Sequence, residues 1–217
     1  MRTFGINDVW FILLAARWTI GLSLIAFAGG AVGGLIVALA RTSESTLAQR
    51  AAMVFIQIFQ GTPLLMQLFL VFFGLPVLGL QISPWIAASV ALVLNTSAFL
   101  GEIWRGSIQA VPRGQWEAAE ALGLHYGARM RLVLLPQAWK IALPPTVGYA
   151  VQVIKGTSLA AIIGFTEITR AGQIINNATF QPLIVFSVVG TVYFALCWPL
   201  SFWAGRIERR RATVLAR

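Results

Sequence analysis

Uncharged runs too long for a soluble domain dominate this 217-residue chain. Thr19 to Ala40 holds no charged side chain over 22 residues, and about 20 residues of helix cross the hydrocarbon core of a bilayer. Ala51 to Gly101 is charge-free over 51 residues, enough for two crossings and a turn. "GLPVLGLQISP" at 74–84 concentrates the Gly and Pro that such a turn needs. Ile141 to Thr166 is apolar apart from Lys155, and Ala171 to Gly205 supplies 35 charge-free residues for a last crossing. The expectation is an all-α integral membrane protein: one domain over 1–217, with about five spans at 19–40, 53–73, 85–104, 141–166 and 183–204.

An odd number of spans puts the ends on opposite sides, and the basic residues orient them. Of 16 Lys and Arg, 12 fall on one side: Arg41 and Arg50; Arg105, Arg113, Arg129, Arg131 and Lys140; Arg206, Arg209, Arg210, Arg211 and Arg217. By the positive-inside rule that side is cytoplasmic and the N-terminus is outside. Topology therefore accounts for most of the net charge of +9, and no nucleic-acid partner is expected, since these bases flank apolar spans. Arg206 to Arg211 are expected to anchor the last helix at the inner leaflet. The N-terminal "MRTFGINDVW" has no compact basic segment leading into a short apolar core and cleavage site, so the first span is expected to be retained.

Several chemistries are excluded. Cys197 is the one cysteine, so neither an intramolecular disulfide nor a thiol pair for a metal can form. A single His and scattered acids assemble no metal cluster or Ser/His/Asp triad. No GxxxxGK[ST] occurs, so ATP has no phosphate-binding loop here.

The passage "EAAEALGLHYGARMRLVLLP" at 117–136 is the polar exception. Glu117 and Glu120 favour the positive end of a short helix, Ala118, Ala119 and Ala121 are strong helix formers, and Gly123 suits its left-handed cap. A second piece, "YGARMRLVLLP", is expected to close at Pro136. A helix, a tight turn and a helix with an alanine face fit a docking knob.

At these residues the chain resembles a family. "GQWEAAEALGL" followed by "LVLLPQAWKIALPP" is similar to the EAA loop of permease subunits of ATP-binding-cassette (ABC) importers. "FIQIFQGTPLLMQLFLVFFGLP", "LNTSAFLGEIWRGSIQAVPRGQWEAAEALG" and "KGTSLAAIIGFTEITRAGQ" resemble its polar amino acid branch, which includes histidine, glutamine and arginine permeases. The resemblance runs from about residue 19 to 210. It implies a type I importer permease fold in the bacterial cytoplasmic (inner) membrane. It also implies a second permease chain, identical or related, two cytoplasmic ATPases that bind ATP and Mg, and an extracytoplasmic amino-acid-binding protein. This chain itself carries no cofactor and no catalytic site in that reading. Relatives more often have Ala before the Glu of "AEI" and read "RGGI"; here Gly101 precedes Glu102 and the second block is Arg105-Gly106-Ser107-Ile108. The small-residue character is kept.

The loop at about 107–140 is then the coupling element, with Glu117, Ala118, Ala119, Gly123 and Leu124 at the ATPase contact. A substrate pathway is expected at Gln60, Gly61, Thr62, Pro63, Asn95, Ser97, Glu102, Lys155, Thr157 and Ser158. On straight-helix geometry Gln60 and Gln67 share a face, as do Asn95, Glu102 and Gln109, while Tyr149, Gln152 and Lys155 step by three. Pro63 has no N–H and frees the carbonyl of Phe59, so "QGTP" at 60–63 can open the second helix. An amino acid needs an acceptor for its ammonium, for which Glu102 is the candidate, and donors for its carboxylate: Lys155, or Thr157 and Ser158. Alternatives stand beside these roles. Lys155 pairs with Glu102 or snorkels; Glu102 pairs with Arg105 on the helix surface; the polar stripes hold helices together rather than cradle a ligand. Gly29, Gly30, Gly33 and Gly34 are expected to bring another backbone close to the first span. A passive facilitator would lack the docking knob, and importers of sulfonate, nitrate or osmolytes share the EAA loop but not the other blocks.

Overall fold

A computed structural model describes residues 2–215, with side chains as far as Arg209; Arg210 and Arg211 at the side-chain level, and Arg217 altogether, lie outside the described residues. The described residues are helical, with no strand. Helix α1 covers Ile6–Thr42, α2 Thr46–Gly61, α3 Leu64–Val77, α4 Pro84–Gln109 and α5 Arg113–Ala121. Helix α6 runs over 126–156 and passes through a π-helical turn at Met130–Leu134. A 3₁₀ turn at Thr157–Ala161 leads to α7, Ile168–Thr179, and α8, Pro182–Leu215. Among the described residues α1, α4 and Pro182–Arg209 of α8 are long and apolar enough to cross a membrane, and α2 with α3 forms a fourth such unit bent by 102°. The expected span at 141–166 falls on α6 and the 3₁₀ turn, where Pro144, Pro145 and Lys155 dilute the apolar character.

Several boundaries differ from expectation, among them the start of α5, which lies at Arg113, so that Glu117 and Glu120 fall in its middle and last turn rather than at its positive end. Helix α1 starts 13 residues before Thr19 and is about 55 Å long. Its start is secured by Asp8, which accepts the Gly5 N–H at 2.9 Å and pairs with Arg2, while Arg17 lies over the Trp18 ring at 5.1 Å. The charge at Arg17 therefore ends nothing. Pro136 does not close the second limb of the hairpin either. The π turn just before it widens the helix, with the Leu135 N–H reaching the Met130 carbonyl, and the chain continues into α6. Helix α7 was not foreseen, because 12 residues rich in polar side chains look like a connection. It buries Ile168, Ala171 and Ile175 against Ile12 and Ala15 of α1 and Val185 and Val189 of α8.

The centre of the fold is the crossing of α1 and α4. As expected from their spacing, Gly29, Gly30, Gly33 and Gly34 face Val93, Thr96, Ser97 and Leu100, and Gly101 of α4 answers against Val37. A Cβ built at Gly34 meets Leu100 Cβ at 2.8 Å and the Gly101 backbone nitrogen at 3.1 Å. The glycines thus remove the atoms that hold two helices apart. A second core joins Leu22 and Ala26 of α1, Leu68 of α3, Ala88, Ala91 and Leu92 of α4, and Val153 of α6. A Gly34→Leu substitution should therefore lower the thermal midpoint of the detergent-solubilised protein by an amount equivalent to ~1–3 kcal/mol, whereas Gly114→Leu, with nothing within 4 Å of an added Cβ, should leave it unchanged.

Candidate functional site

Two features stand apart from simple packing: the break between α2 and α3, and the hairpin made by α5 and the start of α6. The break occurs at Gln60-Gly61-Thr62-Pro63. Proline cannot donate to the carbonyl four residues earlier, and the freed Phe59 oxygen accepts instead from Gln67 Nε2 at 2.8 Å and Asn95 Nδ2 at 3.3 Å. Gln67 Nε2 also donates to the Thr62 carbonyl at 3.1 Å and the Thr62 hydroxyl at 2.9 Å. Asn95 Nδ2 reaches Gln67 Oε1 at 3.1 Å, and Asn95 Oδ1 accepts the Tyr149 hydroxyl at 3.3 Å. Tyr149 stacks on Phe99 with ring centres 5.2 Å apart. Gln60 Nε2 donates to the Ala98 carbonyl at 3.3 Å.

The elbow is therefore closed by side chains from α3, α4 and α6, with Gln67 and Asn95 buried, while Gly61, Thr62 and Pro63 are exposed on its outer side. The straight-helix register for Gln60 and Gln67 is overturned. The 102° bend swings Gln67 back over the break, so these residues seal backbone groups rather than form a stripe on one face.

The remaining expected pathway residues do not gather at the elbow. Ser97 faces Gly33 in the α1–α4 seam and donates to the Val93 carbonyl at 2.7 Å. Glu102 forms a two-pronged pair with Arg105, which also reaches Gln109; one prong, Nε to Oε2, is 2.8 Å. That is the helix-surface alternative, and the Lys155–Glu102 pair is not formed. Lys155 instead lines a cavity of about 340 Å³ with Tyr193, Phe194, Cys197, Trp198 and Ser201 of α8. The Thr157 and Ser158 hydroxyls donate to the Ile154 and Lys155 carbonyls, both at 2.7 Å, and so close the end of α6.

In the hairpin, Gly123 has φ +72° and its N–H donates to the Glu120 carbonyl at 2.8 Å, while the Leu124 N–H reaches the Ala119 carbonyl at 3.2 Å. This pair of bonds ends α5 as its glycine implied. Ala119 is buried, and the partly buried Trp116 packs on a base of Ile108, Val111, Met130 and Leu134. Glu117, Ala118, Leu122 and Gly123 point outward, with Leu122 78% exposed. Ala119 thus builds the hairpin, and Leu122, missed in the sequence, belongs to its outer face. Tyr126 ties the second limb to the end of α1 by donating to the Thr42 carbonyl at 2.8 Å, and Arg129 meets Glu120 at 3.4 Å. This limb is continuous with the rest of α6, with no loop between them.

The chain is similar to known proteins in sequence and in fold. The family model for binding-protein-dependent transport system inner membrane components matches residues 30–213. The chain belongs to that family. Among its relatives, the glutamine transport system permease protein GlnP of Escherichia coli (strain K12) is 38% identical over 213 residues, covering 95% of this chain and 97% of its own. The probable amino-acid ABC transporter permease protein YckA of Bacillus subtilis (strain 168) is 34% identical over 208 residues, covering 96% and 92%. A chain in the crystal structure of an amino acid ABC transporter with histidines superposes with a TM-score of 0.88 at 32% identity, over 97% of this chain and all of that one.

One residue of this permease escaped the sequence reading. Glu167 is fully buried at the start of α7, where its carboxylate accepts the Thr169 N–H at 2.9 Å, the Arg170 N–H at 2.8 Å and the Tyr193 hydroxyl at 2.6 Å. The neighbouring Ile168 N–H donates to Thr19 of α1 at 3.3 Å, so one short segment joins α1, α7 and α8. The available signal was Glu167 itself, an acid next to the charge-free run from Ala171. Replacing Asn95 by Leu strips partners from Gln67, Tyr149 and the Phe59 carbonyl. It should lower unfolding stability by ~1–3 kcal/mol for each buried group left unpaired, measured by denaturation in detergent, and Gln67→Leu should not add its full cost on top.

Proposed function

We propose that this permease is the membrane-spanning subunit of an ATP-driven amino acid importer in the bacterial cytoplasmic membrane, with five spans, the N-terminus outside and the C-terminus inside. It forms the pathway with a second permease subunit, identical or related, receives the amino acid from an extracytoplasmic binding protein, and docks two ABC ATPases that hold ATP and Mg. The observation that carries this reading is the hairpin: its outer face is free to meet another chain, while its inner face is locked to α1, α4 and α6. The relatives named for glutamine and amino-acid transport support the substrate class.

Closure of the ATPase dimer pulls on Glu117, Ala118, Leu122, Gly123 and Leu124. Trp116 holds α5 to the hairpin base, so the load passes through the second limb into α6 without a hinge. Helix α6 carries Tyr149, which touches the elbow through Asn95, and Lys155, whose ammonium is the candidate partner for a substrate carboxylate. One moving helix is thereby linked to the exposed residues Gly61, Thr62 and Pro63 and to the Lys155 cavity. A passive facilitator has no use for such a lever. In lipid, with the co-encoded ATPase and binding protein, amino acids should stimulate ATP hydrolysis. Glu117→Lys or Leu122→Asp should reduce that stimulation at least tenfold, equivalent to about 1.4 kcal/mol, without preventing the permease from folding. Assembly without stimulation by any amino acid would remove the substrate assignment, and absence of ATPase binding would remove the importer reading.

A further inference from the structure

A cationic side chain that crosses a bilayer needs a carboxylate along its route, because an unpaired charge is costly at that depth. This chain has seven acids, all among the described residues. Three lie on the membrane helices or at their ends, and each is engaged. Asp8 is buried and pairs with Arg2. Glu102 is gripped by both prongs of Arg105. Glu167 is fully buried and accepts from two backbone N–H groups and from Tyr193. The others, Glu44, Glu117, Glu120 and Glu208, lie outside the apolar runs: between α1 and α2, in the hairpin, and beyond Gly205. No carboxylate is therefore free at membrane depth.

Lys155 is the opposite case. It is exposed, and its ammonium makes no hydrogen bond or ion pair with a described residue. The cavity of about 340 Å³ that it lines against α8 contains no acid. The next residue, Gly156, faces α3: a Cβ built there stands 3.2 Å from the side chain of Leu64, which directly follows Pro63. Lys155 is thus at the level of the elbow, where Gly61, Thr62 and Pro63 are exposed. Helix α2 ends at that elbow with no basic residue in its last turn, so its carbonyl end offers partial negative charge to one ammonium group. A helix end and a lysine match the two charges of an amino acid. Nothing is left to meet a further positive one.

We infer that the transported amino acid is neutral or acidic, and that Lys155 sets this limit by taking a substrate carboxylate in a pathway without a free acid. Side chains that end in a guanidinium or an ammonium are refused, because they would add a cation beside Lys155 with no carboxylate to pair it. A second copy of this chain adds another Lys155 and only the same engaged acids. The inference rests on the importer reading and adds to it the charge of the solute.

The test measures binding of radiolabelled glutamine, leucine, glutamate, arginine and lysine to the assembled permease–ATPase complex in lipid at pH 7. The binding protein is left out so that its own selectivity does not intervene. The tightest of the neutral and acidic ligands should bind more strongly than arginine or lysine by roughly tenfold or more. Lys155→Glu should reverse that order, and Lys155→Arg, which keeps the charge, should preserve it. Arginine or lysine bound as tightly as the best of the others by the unaltered complex overturns the inference, including the case in which a related second chain supplies the carboxylate. So does an order unmoved by Lys155→Glu, the result expected of a lysine that only snorkels to the interface. Binding of none of the five by a complex that assembles with its ATPase overturns the amino acid reading itself, and the inference with it.

Discussion

A carbonyl that loses its helical donor inside a bilayer has no water to turn to and must be met by the protein itself. Pro63 creates that demand at Phe59, and the response organises the centre of the molecule. Gln67 arrives from α3, Asn95 from α4, and Tyr149 of α6 completes Asn95. Three helices meet at one backbone oxygen. The break then becomes an elbow of defined angle, because each buried donor and acceptor around it is used by another. Further prolines are absorbed differently. Pro76 and Pro136 each follow a π-helical turn, Leu70–Gly74 and Met130–Leu134, whose wider bore accommodates a residue that cannot donate.

Close approach of backbones supplies the complementary constraint. The bilayer gives little hydrophobic drive for helices to associate, so contact must come from shape. Four glycines of α1 and Gly101 of α4 provide it, and α4 thereby becomes the fixed member of the bundle. From there α4 presents Asn95 to the elbow, Ser97 to α1 and Ile108 to the hairpin base. A substitution in the seam is consequently felt at both functional features.

In the proposed coupling, function follows from the continuity of α6. Its first turns form the second limb of the hairpin, its middle holds Tyr149 against Asn95, and its last turn places Lys155 beside α8. A helix without an intervening loop carries displacement over this distance, whereas a hairpin closed at Pro136 would have been uncoupled from the bundle. Glu167 fastens the opposite side by joining α1, α7 and α8 around a buried carboxylate.

Much of this was legible in the chain. Charge-free runs announced membrane helices, the glycine spacing announced the seam, Pro63 announced the break, and Gly123 announced the end of α5. Each is a local property: burial of apolar length, absence of a Cβ, a missing N–H, tolerance of positive φ. What the sequence could not decide was which groups meet. Gln67 and Asn95 looked like pathway stripes, and only the 102° bend turned them into caps for Phe59. Glu102 had both Lys155 and Arg105 as possible partners, and the fold left it with the residue one turn away. Ala119 is buried and Leu122 exposed because the direction of a side chain in a short helix and its cap depends on the surface beneath it. The sequence by itself determined which elements form and where the backbone must bend; the tertiary structure decided which polar groups are consumed in holding those bends, because a hydrogen-bond partner from a distant helix leaves no periodic trace in the chain.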